Sequence, residues 1–176
     1  GRDYFFLREE FNEAKPISFK KKVRNILITF GGTDQKNYTG RIFSSIIDFC
    51  REENIKIFIV VGGGNMHVKD LEKEIKGVKN AKIEFTYATG VISHIMEKVD
   101  IAITSNGRTV YELAHLNIPS IVLSQHAREN THSLAKKKNG FIPLGLDKGA
   151  KTERRVLLEL KKLVGDMNFR RTYFDR

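Results

Sequence analysis

Three polar loops carry the residues of this chain whose types and spacing suit binding chemistry. The first is Gly31-Gly32-Thr33-Asp34, where two glycines permit close approach of the backbone to a ligand and Thr33 adds a hydroxyl just before a helix starts. The second is Ser105-Asn106-Gly107-Arg108-Thr109, a turn that opens a short helix carrying Glu112 one turn in. Backbone N–H groups at such a helix start favour anions, and a carboxylate one turn further can accept hydrogen bonds from a ribose diol. The third is Gln125–His132, holding Arg128, Glu129 and Asn130. Each loop alone is also read as ordinary turn and cap chemistry. Gly62-Gly63-Gly64 is either a further close-approach loop or a flexible turn, and Arg108 and Arg128 are either diphosphate partners or surface charges.

The elements that must position these loops alternate along the chain. Strands are predicted at Asn25–Phe30, Lys56–Val61, Lys82–Thr86, Asp100–Thr104, Ser120–Leu123 and Gly140–Leu144. Helices are predicted at Tyr38–Glu52, Lys69–Lys76, Val91–Lys98, Thr109–Leu116, Glu129–Lys138 and Thr152–Leu163. Continuous apolar runs such as Ile57-Phe58-Ile59-Val60-Val61 signal strands buried on both faces of a parallel sheet. Right-handed crossovers then give a doubly wound, Rossmann-like α/β domain of three layers, α/β/α, over residues 24–176. In that architecture the three polar loops share one edge of the sheet. Residues 1–23 lie outside the alternation. Their aromatic stretch Tyr4–Phe11 is expected to act as a connector that packs against something, with Ser18–Lys22 as a linker.

Composition narrows the function classes. At 176 residues, 40% hydrophobic and 30% charged, the chain fits one globular domain. No apolar run approaches the roughly 20 residues needed to span a bilayer, and no leader pattern opens the sequence, so a cytoplasmic protein without a membrane span is expected. Cys50 sits at helical spacing with Phe43, Ile46 and Ile47 and reads as a small buried apolar residue. The net charge of +10 is dispersed over Lys20–Lys22, Lys136–Lys138, Arg154-Arg155 and Lys161-Lys162, which argues for solvated faces over a nucleic-acid surface. The first loop lacks the GxGxxG of a dinucleotide fold and the GK[ST] of a P-loop, and no CxxC or HExxH marks a metal site. No cofactor and no metal are expected.

Taken together, these residues resemble the C-terminal nucleotide-binding domain of GT-B glycosyltransferases. Within that superfamily they are most similar to the branch holding the pseudaminic-acid pathway UDP-sugar hydrolase and the spore-coat polysaccharide biosynthesis protein G. The GG[ST]D pattern matches Gly31–Asp34, D-x-A-I-x-x-x-G-x-T-x-Y-E-L matches Asp100–Leu113, and x-I-P matches Ile118-Pro119. The opening G-x-x-Y-x-x-L-R-x-E-F matches Gly1–Phe11, a segment that lies between the two domains in the family. Where many members carry E-N-Q, this chain has Glu129-Asn130-Thr131.

The resemblance implies a UDP-linked nucleotide sugar as ligand. Gly31, Gly32, Thr33, Asp34, Ser105, Asn106, Gly107, Arg108 and Thr109 would hold the diphosphate and Glu112 the ribose, with Gly62, Glu129 and Asn130 completing the site. It also implies that a catalytic histidine belongs to an N-terminal half with no counterpart here, so no residue of this chain is assigned as catalytic. The expectation is the nucleotide-binding half of a UDP-sugar hydrolase or glycosyltransferase in surface-polysaccharide or nonulosonic-acid biosynthesis. Two other classes stay open: a non-catalytic module that docks through Tyr4–Phe11, and a basic nucleic-acid binder.

Overall fold

The computed structural model describes residues 6–174. Six strands form one sheet: β1 (Asn25–Thr29), β2 (Lys56–Val61), β3 (Lys82–Tyr87), β4 (Ile101–Ser105), β5 (Ser120–Ser124) and β6 (Phe141–Leu146). Their order is β3-β2-β1-β4-β5-β6, and every pairing is parallel. The chain therefore runs outward from β1 in one direction, returns to lay β4 beside β1, and continues outward in the other. The reversal leaves a crevice beyond the carboxyl ends of β1 and β4, where ligands of open α/β sheets bind. The expected fold class is borne out.

Side-chain alternation explains the layers. Ile26 and Ile28, Ile57 and Ile59, Ile101 and Ile103, and Ile121 and Leu123 face one side of the sheet. They are covered by α1 (Tyr38–Glu52), α6 (Ala150–Gly165) and α7 (Met167–Phe174). Leu27, Phe58, Val60, Ala102 and Val122 face the other side. There α3 (Ser93–Met96) and α4 (Thr109–His115) cover them, while α2 (Val68–Gly77) contributes Leu71 to the first layer. Cys50 is buried in the first layer, and burial pushes its thiol up to about 12. It packs as an inert apolar residue.

The segment before β1 packs on this domain itself. Phe11, in a 3-10 turn at Glu9–Phe11, is fully buried in the second layer. The Ile17 amide donates to the Leu116 carbonyl at 2.9 Å. Further on, buried Arg170 donates to the carbonyls of Lys20 and Lys21 at 2.8 Å, fastening the basic stretch ahead of β1. Gly1–Phe5 of the opening motif, Tyr4 included, lie outside the described residues.

Two expected helices differ in the structure. Val91–Lys98 contracts to the single turn of α3. Glu129–Lys138 does not form: α5 covers only Ala127–Asn130, and a 3-10 turn follows at Lys137–Asn139. The reason is tertiary. The Asn106 amide takes the carbonyls of Glu129 (2.7 Å) and His132 (3.3 Å), while Nδ1 of His132 bonds the Asn106 carbonyl at 2.6 Å. Asn139 also bonds the Leu134 carbonyl. Backbone acceptors needed for a helical ladder are thus held by side chains. At the other end, the last expected helix extends to Gly165 and is followed by α7 as a separate helix, Asp166 breaking the two.

Candidate functional site

The glycine loop after β1 is shaped by its neighbours. Gly31 adopts φ +81°, a conformation that side chains disfavour. The loop after β2 lies against it: the Gly62 amide donates to the Gly31 carbonyl at 3.3 Å, and Gly64 to Gly32 at 3.1 Å. A Cβ on Gly62 would stand 2.5 Å from the Gly32 Cα and 2.7 Å from its carbonyl oxygen. Gly62 is therefore a close-approach glycine, and what it approaches is the first loop.

The crevice has two lobes that share Gly31, Gly32, Arg108 and Thr109. The smaller, about 290 Å³, is walled by Val60 and Ile92, with Thr29, Gly62 and Thr89 on its sides and Glu112 and Arg8 at one end. The larger, about 500 Å³, is more polar; Thr33, Lys36, Tyr38, Ser105, Gly107, Gln125, His126 and Glu129 line it. Tyr38 Oη donates to the Gln125 carbonyl at 3.2 Å and Gln125 Nε2 donates to the Phe30 carbonyl at 3.1 Å, so the ends of β1 and β5 are tied across this lobe. Burial, with Asp147 nearby, pushes the Tyr38 phenol up to about 12, which keeps it a hydrogen-bond donor. Glu129 is buried, and its Oε2 accepts from the Gln125 amide at 2.8 Å.

Glu112 is the most unusual group in the crevice. Its α4 packs on the second layer, and the residue is 6% exposed and lines the smaller lobe. Arg8 Nε donates to its Oε1 at 2.9 Å, across 104 residues of sequence. Oε2 has no hydrogen-bond partner among the described residues. Burial raises the carboxyl above the usual range, and Arg8 opposes that shift most strongly.

The expected site residues separate into two groups. Gly31, Gly32, Thr33, Gly62, Ser105, Gly107, Arg108, Thr109, Glu112 and Glu129 all line one lobe or the other. Asp34, Asn106 and Asn130 line neither. Asp34 is buried and its two oxygens accept from the amides of Tyr38 (2.7 Å) and Thr39 (2.8 Å), while Asn37 caps Gly40. The first amides of α1 are thus already capped, and Asp34 shapes the loop from behind. Asn106 staples the 129–132 loop as described above. Asn130 is exposed, and its Oδ1 accepts from Ser124 Oγ at 3.5 Å. Val60, Ile92, Thr89, Lys36 and Tyr38 were not foreseen, because apolar or helix-start residues carry no binding signature. Arg8 stood inside the L-R-x-E-F pattern, but only the fold shows that it meets Glu112. Among the described residues, no group of His, Cys, Asp and Glu stands ready to hold a metal, and no helix is long and apolar enough to cross a membrane.

Comparison with solved structures places this architecture. The chain superposes on the UDP-GlcNAc 2-epimerase from Neisseria meningitidis bound to UDP-GlcNAc with a TM-score of 0.64, at 16% identity, over 89% of this chain and 40% of that one. The chain shares the Rossmann-like α/β fold of that protein. By sequence, the chain is 33% identical over 131 residues to the uncharacterized protein MJ1062 of Methanocaldococcus jannaschii, covering 72% of the chain and 27% of the relative. It is 27% identical over 126 residues to the spore coat polysaccharide biosynthesis protein SpsG of Bacillus subtilis, covering 71% and 37%. The chain spans about a quarter to two fifths of the curated relatives it matches. No family model matches.

Proposed function

We propose that this chain is a GT-B-type domain that binds a UDP-linked sugar, as the nucleotide-holding half of a UDP-sugar hydrolase or glycosyltransferase in surface-polysaccharide or nonulosonic-acid biosynthesis. The observation that carries the reading is Glu112: a buried carboxylate with one oxygen unbonded among the described residues, at the end of an apolar lobe and beside a glycine-lined wall. The base would lie against Val60 and Ile92, and the ribose diol would donate to Glu112. The diphosphate would cross the shared wall of Gly31, Gly32 and Thr109, with Arg108 supplying charge. The sugar would extend into the polar lobe among Gln125, His126 and Glu129. The SpsG relative supports the polysaccharide context, and the UDP-GlcNAc-bound epimerase supports the ligand class.

In this reading the chain stabilises the departing nucleotide, and the groups that activate water or an acceptor belong to a second domain preceding the connector at residues 1–23. Calorimetric titration with UDP, CMP and NAD tests the binding claim: UDP is expected to bind and NAD not to bind. Absence of UDP binding, or tight salt-sensitive binding to DNA or RNA in its place, would refute it. Incubation with UDP-sugars is expected to release neither UDP nor free sugar at an enzymatic rate.

A further inference from the structure

The N-terminal segment reaches into the smaller lobe through a chain of polar contacts that the binding reading does not itself require. Glu10 Oε2 accepts from the Ser93 amide at 2.8 Å, which pins the segment to the start of α3. Glu10 Oε1 pairs with Arg8 Nη1 at 2.9 Å, and Arg8 Nε pairs with Glu112 at 2.9 Å. The Arg8 guanidinium also stands 5.5 Å over the Phe11 ring, which is anchored in the core. Arg8 is thus held from two sides before it meets Glu112. Residues that merely decorated a linker would not be fixed at three points on the rim of the crevice.

We propose that Arg8 is a positioning residue of the nucleotide site: it holds Glu112 in one orientation through Oε1 and leaves Oε2 for the ribose hydroxyls. The inference rests on the nucleotide reading above. A carboxyl this buried accepts hydroxyl protons well only when ionised, and the charged groups facing it are Arg8 and Glu10 from the N-terminal segment and Arg108 from the turn before α4. Glu10 disfavours ionisation, so Arg8 does most to oppose burial. The segment is then part of the binding site as well as a connector.

The test compares wild type, Arg8→Gln, Arg8→Lys and Glu112→Ala for UDP-GlcNAc affinity from about pH 5 to 8, a range in which a diphosphate diester does not titrate. In parallel, carbon-detected NMR follows the Glu112 carboxyl through the same range without ligand. Arg8→Gln is expected to weaken binding by a factor that grows as pH falls through the Glu112 midpoint. Its Glu112 midpoint moves upward. Arg8→Lys keeps the charge, so its pH profile stays near that of wild type. Equal affinity and an unmoved Glu112 midpoint in Arg8→Gln would overturn the role of Arg8 alone, provided Glu112→Ala still weakens binding. A wild-type chain that binds no UDP-GlcNAc at any pH would overturn the nucleotide reading and this inference together.

Discussion

The first turns of α1 and α4 occupy equivalent places on either side of the sheet reversal, yet they are built for opposite ends. At α1, Asp34 and Asn37 fill the early amides with the protein's own oxygens, and the helix runs on for four turns into the core. At α4, no side chain among the described residues caps the start, the helix is short, and its first turn carries Glu112 facing a cavity. A capped helix start is a foundation. In the proposed function, the α4 start beside Glu112, whose Oε2 is unbonded among the described residues, is where the nucleotide completes the hydrogen bonding.

The sharpest way to break this comparison is to disturb the wall both sides share. Gly62→Ala forces a methyl against the Gly32 backbone at 2.5 Å, and the loops must separate. Urea denaturation is expected to show a stability loss on the order of 3 kcal/mol, the upper range for overpacking. A wild-type midpoint would mean the two glycine loops are not locked together. Asp34→Ala comes next. Removing a two-amide cap should lower stability by about 2 kcal/mol. UDP affinity in the folded fraction should stay within about twofold, since a tenfold loss would correspond to about 1.4 kcal/mol of direct contact. A larger affinity loss would make Asp34 a ligand contact after all.

Glu112→Ala is the mirror experiment. We expect UDP binding to weaken by about 1–2 kcal/mol while the unfolding midpoint hardly moves, the reverse of the Asp34 result. The smallest effect is expected from Glu112→Gln on the pH dependence of stability. Burial raises the folded-state pKa of Glu112, so the folded chain holds this proton more tightly than the unfolded chain. The favourable contribution is complete below the unfolded carboxyl pKa and is lost as pH rises through the folded value. Thermal melts should therefore show Glu112→Gln gaining on wild type as pH increases from acidic to neutral. A constant difference across that range would show that Glu112 does not titrate in the folded chain as its burial requires.

The sequence made the sheet legible because β1, β2, β4 and β5 are apolar on both faces, a pattern that surface strands do not carry. The turn residues at Gly31 and Gly107 marked where the crevice lies. Three features escaped it for physical reasons. Residues 129–138 have helical spacing, but Asn106 and His132, more than twenty residues apart in sequence, compete for the backbone. A GG[ST]D pattern does not tell whether its carboxylate meets a ligand or caps the following helix; at Asp34 the distances decide for the cap. The Arg8–Glu112 pair spans 104 positions, and no local pattern encodes a contact of that range.

A crystal structure of the chain soaked with UDP tests the central claim most directly. The account predicts a ribose diol within hydrogen-bonding distance of Glu112 Oε2, the base against Val60 and Ile92, and the diphosphate along Gly31, Gly32 and Thr109. Density for the nucleotide at any other place on the molecule, with no nucleotide atom within hydrogen-bonding distance of Glu112, would contradict it.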